Sequence, residues 1–253
     1  MGTQFQQLVE YRQRNYSIRK DSTYMVETRK PIERERIVAK IIARYSHEGD
    51  VRKVTGEPYF THSEKVADRV REMLPEDIDV YAMALLHDVL DVPGPQERVG
   101  GPDGLRLLLG ERAVRWANGV EAMTKDRAIS DSEERSAEML RRCVETGDWR
   151  VWLVEIVDKW ATVDDLPGEI EKYGYSHVES KFNGGFSQYA AWVRSVRDAI
   201  DEAIQSSETL DDATRSTLVE EIKNLTVAYE RFVECMNEHA GARGDDITSE
   251  HAV

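Results

Sequence analysis

The stretch Asp77-Ile78-Asp79-Val80-Tyr81-Ala82-Met83-Ala84-Leu85-Leu86-His87-Asp88-Val89-Leu90-Asp91 decides the fold. It predicts one helix over 77–91, with a compact apolar run at 81–86, ended by Pro93, Gly94 and Pro95. Around it, helical periodicity dominates, and neither a convincing strand run nor an Asn-Gly hairpin occurs. Pro31 suits a first helical turn. After it, Ile32, Arg36, Ile37, Lys40, Ile41 and Arg44 read as an amphipathic helix, and a loop follows through Pro58. Further helices are expected over 61–73, 102–109, 111–122, 131–146 and 148–164. A loop containing Pro167 and Gly168 then leads to Gly184-Gly185, followed by two long helices over about 186–206 and 210–239. The fold class is all-α. Residues 1–30 are expected to form an arm with one short helix, 31–205 the main domain, 206–240 a helical extension and 241–253 a disordered tail.

Composition narrows the function. With 40% hydrophobic residues, the 253-residue chain can bury a sizeable core. No run approaches the ~18 apolar residues that a membrane span needs. No secretory leader is visible at residues 1–10, and Cys143 and Cys235 are far apart without a CxxC pair, so a cytoplasmic setting is expected. A net charge of −14 argues against general nucleic-acid binding. The charge is uneven. Residues 1–45 carry ten Lys/Arg against five Asp/Glu, and residues 201–253 carry four against thirteen. A basic arm docking on the acidic end of a second copy would make a homo-oligomer.

His87 and Asp88 stand side by side near the end of the apolar helix. Neighbours on a helix lie about 100° apart and can still share one ion over the boundary of their faces. Asp91 should rise on the same side, one turn later. His62 lies 25 residues earlier, near the start of its own helix. Asp158 lies inside Leu153-Val154-Glu155-Ile156-Val157-Asp158-Lys159-Trp160, where a carboxylate must find a cation or hydrogen bonds. A salt bridge would also satisfy Asp158, and His62 alone could be a helix-start histidine. Together, two imidazoles and two carboxylates make a mixed nitrogen and oxygen set. That set suits one divalent cation, Mn²⁺, Fe²⁺ or Zn²⁺ rather than Ca²⁺. Open positions would serve water and a phosphate oxygen, and Asp91 is expected to orient that water.

An ordered series of segments begins at Ala43-Arg44-Tyr45-Ser46-His47 and continues through Arg52-Lys53-Val54-Thr55-Gly56-Glu57-Pro58-Tyr59-Phe60-Thr61-His62 and Ala84-Leu85-Leu86-His87-Asp88-Val89-Leu90-Asp91. Leu109-Gly110-Glu111-Arg112-Ala113-Val114, Gly119-Val120-Glu121-Ala122-Met123-Thr124-Lys125, Ile156-Val157-Asp158-Lys159-Trp160 and Gln188-Tyr189-Ala190-Ala191-Trp192 extend it over about residues 35–205. The series resembles the hydrolase domain of the RelA/SpoT alarmone enzymes and its small stand-alone homologues, metal-dependent phosphohydrolases of the HD type.

The resemblance implies an all-α, Mn²⁺-dependent enzyme that removes pyrophosphate from the 3′ position of (p)ppGpp. It implies His62, His87, Asp88 and Asp158 as metal ligands, with Asp88 and Asp91 at the catalytic centre. Arg52 and Lys53 would approach the nucleotide, Lys125 or Arg127 would meet phosphate, and Tyr189 would line the pocket. Lys159 is a further candidate cation, and Thr162 stands where the family has asparagine. The chain departs from the family elsewhere too. Asp91-Val92 replaces Glu-Asp, Asp165 replaces threonine, and Gly185 falls where the small homologues carry arginine. Two alternatives follow: a hydrolase of another nucleotide or phosphoester, or a degenerate module that binds nucleotide and metal as a sensor without turnover.

Overall fold

Residues 80–86 are all buried, so this short helix is surrounded on every side, as its unbroken apolar sequence requires. The computed structural model describes residues 31–110 and 114–243, and the expected arm at 1–30 and the last ten residues of the chain lie outside them. The described residues are all-α, with eleven helices and, between Val51 and Pro58, one isolated bridge. In chain order the helices are α1 (Pro31–Ser46), α2 (Phe60–Met73), α3 (Ile78–Leu86), α4 (Pro93–Val99), α5 (Gly101–Leu109), α6 (Val114–Ala122), α7 (Ser132–Glu145), α8 (Trp149–Tyr173), α9 (Tyr175–Glu179), α10 (Gly185–Ser206) and α11 (Asp212–Arg243).

The helices fall into two compact units. The first holds 31–51 and 57–154, and the second holds 52–56 and 155–243, so the division falls within α8. In the first unit α3 is central and packs on α1, α2 and α6. Asp77 caps it, accepting from the amides of Asp79 and Val80 at 3.0 and 3.1 Å, which satisfies two of the unpaired donors at a helix start. Gly119 of α6 allows the close approach, since a Cβ there would lie 2.2 Å from Met83 Sδ. In the second unit α10 packs on α11. Phe186 meets Phe232 edge-on at 5.2 Å, within the favourable range for aromatic pairs.

Four expectations are corrected. α1 buries Ala39, Ile42 and Ala43, while Ile41 is exposed, so its apolar stripe is rotated from the expected one. The helix expected over 77–91 ends at Leu86. Pro93 and Pro95 do not simply close it but sit in the first turn of α4, where a proline lacks only a donor that would have no partner anyway. α8 does not stop near 164. It runs through Pro167 to Tyr173 because Val163, Leu166 and Ile170, at helical spacing, are all buried. That burial outweighs a proline penalty of ~3 kcal/mol.

Candidate functional site

In the first unit the first turn of α2 presents His62, and the end of α3 presents His87 and Asp88. His87 Nδ1 lies 2.8 Å from the Ala84 carbonyl, an acceptor, so the ring donates from Nδ1 and turns Nε2 the other way. Nε2 then lies 3.1 Å from Asp88 Oδ2. His62 Nε2 lies 3.9 Å from the same oxygen, and the two imidazole centroids are 5.4 Å apart. Tyr59 donates its hydroxyl hydrogen to that oxygen at 2.8 Å. With its proton on Nδ1, a neutral His87 aims a lone pair at a carboxylate. Such a pair is stabilised by positive charge, a proton or a metal ion, so these residues fit a divalent cation. The nitrogen and oxygen donors suit a transition-metal ion better than Ca²⁺.

Tyr59 is held from behind. Its ring stacks on His47, with centroids 4.8 Å apart and planes at 24°. His47 is buried, and desolvation pushes its pKa down from 6.5 to about 4, against the opposing pull of the Asp88 carboxylate. The ring is therefore neutral near pH 7. Asp50 lies 4.0 Å from His47 Nδ1 and accepts from Arg98 at 2.7 Å.

Asp91 does not rise from a helix face. Past Leu86 the chain turns tightly, with the Val89 amide bonded to the Leu86 carbonyl and the Asp91 amide to the Asp88 carbonyl. Asp91 Oδ1 accepts from the Lys125 backbone amide at 2.9 Å, and Lys125 Nζ lies 3.7 Å from Oδ2. The Arg127 guanidinium donates to the Asp91 carbonyl. The structure thus brings Lys125 and Arg127 to Asp91.

In the second unit, Arg52 Nη2 lies 3.9 Å from Asp165 Oδ2 and 3.7 Å from Glu169 Oε1. Lys53 is exposed. Lys159 is buried and pairs with Glu155 at 3.2 Å and with Asp158. Burial opposes its charge, but Asp158 and Glu155 outweigh burial and hold the ammonium well above the ordinary lysine pKa. Tyr189 shares a side-chain hydrogen bond with Thr162, and burial raises its phenol pKa although Lys159 nearby lowers it.

Sequence reasoning did not single out Tyr59, His47, Glu155 or Glu169 as site residues. Tyr59 carried one signal, its position three residues before His62 at a helix start. Of the Arg52 partners, Asp165 stood out only as a departure from the family's threonine and Glu169 not at all, since the pairing closes across more than a hundred residues of chain.

The HD domain family matches residues 39–175, over half of the chain, and the chain belongs to that family. A guanosine-3′,5′-bis(diphosphate) 3′-pyrophosphohydrolase of Haemophilus influenzae is 33% identical over 122 residues, 47% of this chain. The chain spans 17% of that relative's length. A solved metazoan SpoT orthologue, described as hydrolysing ppGpp, superposes with a TM-score of 0.53 at 19% identity, covering 80% of this chain and 97% of its own. The lmo0812 protein of Listeria monocytogenes gives 0.50 at 19% identity, covering 69% and 99%. These two likenesses establish the all-α fold. Among the described residues no helix is long and apolar enough to cross a membrane.

Proposed function

We propose that the chain is a metal-dependent phosphohydrolase of purine nucleotides, with the 3′-pyrophosphate of a (p)ppGpp-like alarmone as its preferred target and residues 31–205 as the hydrolase domain. The observation that carries this reading is the facing of two imidazole nitrogens and one phenol toward the single oxygen Asp88 Oδ2. His62, His87 and Asp88, with Asp158 as the fourth ligand, would hold one divalent ion, Mn²⁺ first. That ion supplies Lewis acidity toward a phosphoryl group and toward water. His87 is oriented for binding by its bond to Ala84, and Asp88 by its bond from Tyr59. Lys125 and Arg127 would meet the phosphates, and Arg52, Lys53, Lys159, Thr162 and Tyr189 would receive the nucleotide.

One observation favours a second reading, in which the chain binds nucleotide and metal without turnover. Asp91, the expected water-orienting acid, already accepts from the Lys125 amide, which ties up one carboxylate oxygen. Mn²⁺-loaded protein is therefore to be offered a nucleotide panel, with phosphate and pyrophosphate release measured beside binding. The hydrolase reading expects pyrophosphate release from a 3′-pyrophosphorylated guanine nucleotide. It also expects Asp88→Asn to lose the metal and about four orders of magnitude of turnover. Tight metal-dependent binding with no release from any nucleotide would establish the second reading instead.

A further inference from the structure

Asp165 and Glu169 stand four residues apart on α8, so their carboxylates share a face of the helix and repel one another without a cation between them. Arg52 supplies that cation. Its side chain is 16% exposed and its Nη2 lies within ion-pair distance of both acids. Glu169 is itself buried, so a positive charge within ion-pair distance matters more to it than it would at the surface. Earlier on the same helix Glu155 and Asp158 engage Lys159 in the same way. Arg52 and Lys159 each lie within ion-pair distance of two carboxylates of α8. An anion arriving at Arg52 thus meets a guanidinium already answered by carboxylates, and must displace them or share it with them.

We propose that Asp165, supported by Glu169, is a specificity-determining residue that sets how many phosphates the site accepts, by holding Arg52 against an incoming polyphosphate. The inference rests on the phosphohydrolase reading for its biological meaning, but its physical content is confined to the second unit. Each extra phosphate charge must compete with Asp165 for Arg52 and is repelled by whatever carboxylate charge remains. Of two nucleotides with the same 3′-pyrophosphate, the one with fewer charges on the phosphates that reach Arg52 is therefore favoured. Removing the Asp165 charge should release the guanidinium and reward pyrophosphate more than phosphate, because a dianionic or trianionic partner gains more from a freed cation.

The test uses inorganic pyrophosphate and inorganic phosphate as probes, titrated calorimetrically into the full chain with Mn²⁺ present. Wild type, Asp165→Asn, Glu169→Gln, Arg52→Gln and the double variant Arg52→Gln/Asp165→Asn are compared, with thermal melting to confirm that each folds. Asp165 is a third exposed, so the isosteric amide should leave the fold intact. Asp165→Asn should tighten pyrophosphate about tenfold and phosphate by clearly less, the size expected when one partly buried charge competitor is removed. In the Arg52→Gln background the same change should do nothing. Glu169→Gln should act in the same direction, and it serves if Asp165→Asn fails to fold. An unchanged pyrophosphate affinity, an equal gain without Arg52, or no binding by any of the proteins would overturn the proposal. Where a nucleotide is hydrolysed, Asp165→Asn should lower KM for the more highly phosphorylated substrate and leave kcat near wild type. A gain in pyrophosphate binding with no hydrolysis of any nucleotide would remove the enzymatic reading and leave the Arg52 competition standing. Hydrolysis without that gain would do the reverse.

Discussion

The cluster around Asp88 in the first unit and the clusters around Lys159 and Arg52 in the second handle charge in opposite ways. The first gathers His62, His87 and Tyr59 around one carboxylate oxygen, with the neutral His47 behind. The second sets full charges against one another, with Lys159 between Glu155 and Asp158 and Arg52 between Asp165 and Glu169. In the first, hydrogen-bond donors and aromatic faces fix where lone pairs point, so the arrangement suits catching a cation. In the second, geometry is held by ion pairs whose partners can be exchanged for a ligand's charges. The contrast separates preorganisation by packing from preorganisation by charge, and each kind fails differently when one atom is removed.

The sharpest break is expected at Lys159. Lys159→Met keeps the length of the side chain and leaves Glu155 and Asp158 without its charge in a buried setting. In the presence of a chelator the variant should lose about 3–5 kcal/mol of stability, read by urea unfolding. Adding Mn²⁺ should return part of that loss if Asp158 is a metal ligand, because the ion replaces the missing positive charge. A loss below about 1 kcal/mol would place Lys159 with ordinary surface pairs and erase the contrast between the units.

The first unit should show its packing through pH. Burial lowers the pKa of His47 most; among the charged groups around it Asp88 and Asp50 oppose that shift, while His87 and Arg98 add to it, and the Tyr59 ring stacks on it. Its pKa falls from 6.5 unfolded to about 4 folded, so between those values the unfolded chain binds the proton more readily. Stability from the neutral ring is therefore complete above pH 6.5 and is lost as the pH falls toward 4. A depression of that size is worth about 3 kcal/mol. His47→Gln, measured beside wild type with chelator present, should flatten the curve across this window. Parallel curves for the two proteins would mean that folding leaves the pKa of His47 unshifted.

Much of the first unit was legible because its signals are local. The apolar run before His87 and Asp88 announced a buried helix, and the helical pattern over 61–73 announced a second one with His62 at its start. What was not legible turned on competition. Whether Pro167 ends α8 depends on the burial of Val163, Leu166 and Ile170, and the sequence shows the proline more plainly than the burial. Helical spacing places Asp91 one turn after Asp88, but the i to i+3 bonds after Leu86 replace the helix there and hand its carboxylate to Lys125. The partners of Arg52 lie more than a hundred residues away, where no periodicity links them.

The smallest expected effect tests the finest feature of the first unit. Tyr59→Phe keeps the ring that stacks on His47 and removes only the hydroxyl that donates to Asp88 Oδ2. That hydrogen bond has two consequences with opposite signs. It draws electron density from the carboxylate, which weakens it as a ligand, and it fixes the carboxylate's rotation, which favours binding. Orientation should dominate, because Asp88 sits in a turn just past the end of α3, where the helix no longer restrains its side chain. Losing a supporting bond of this kind lowers metal affinity by about tenfold or somewhat more. Calorimetric titration of Mn²⁺ into the variant should show that weakening, with the melting temperature of the chelated protein changed little, since the ring stays packed. An unchanged or tighter affinity would mean that His62 and His87 alone fix Asp88, and that the phenol serves the fold rather than the ion.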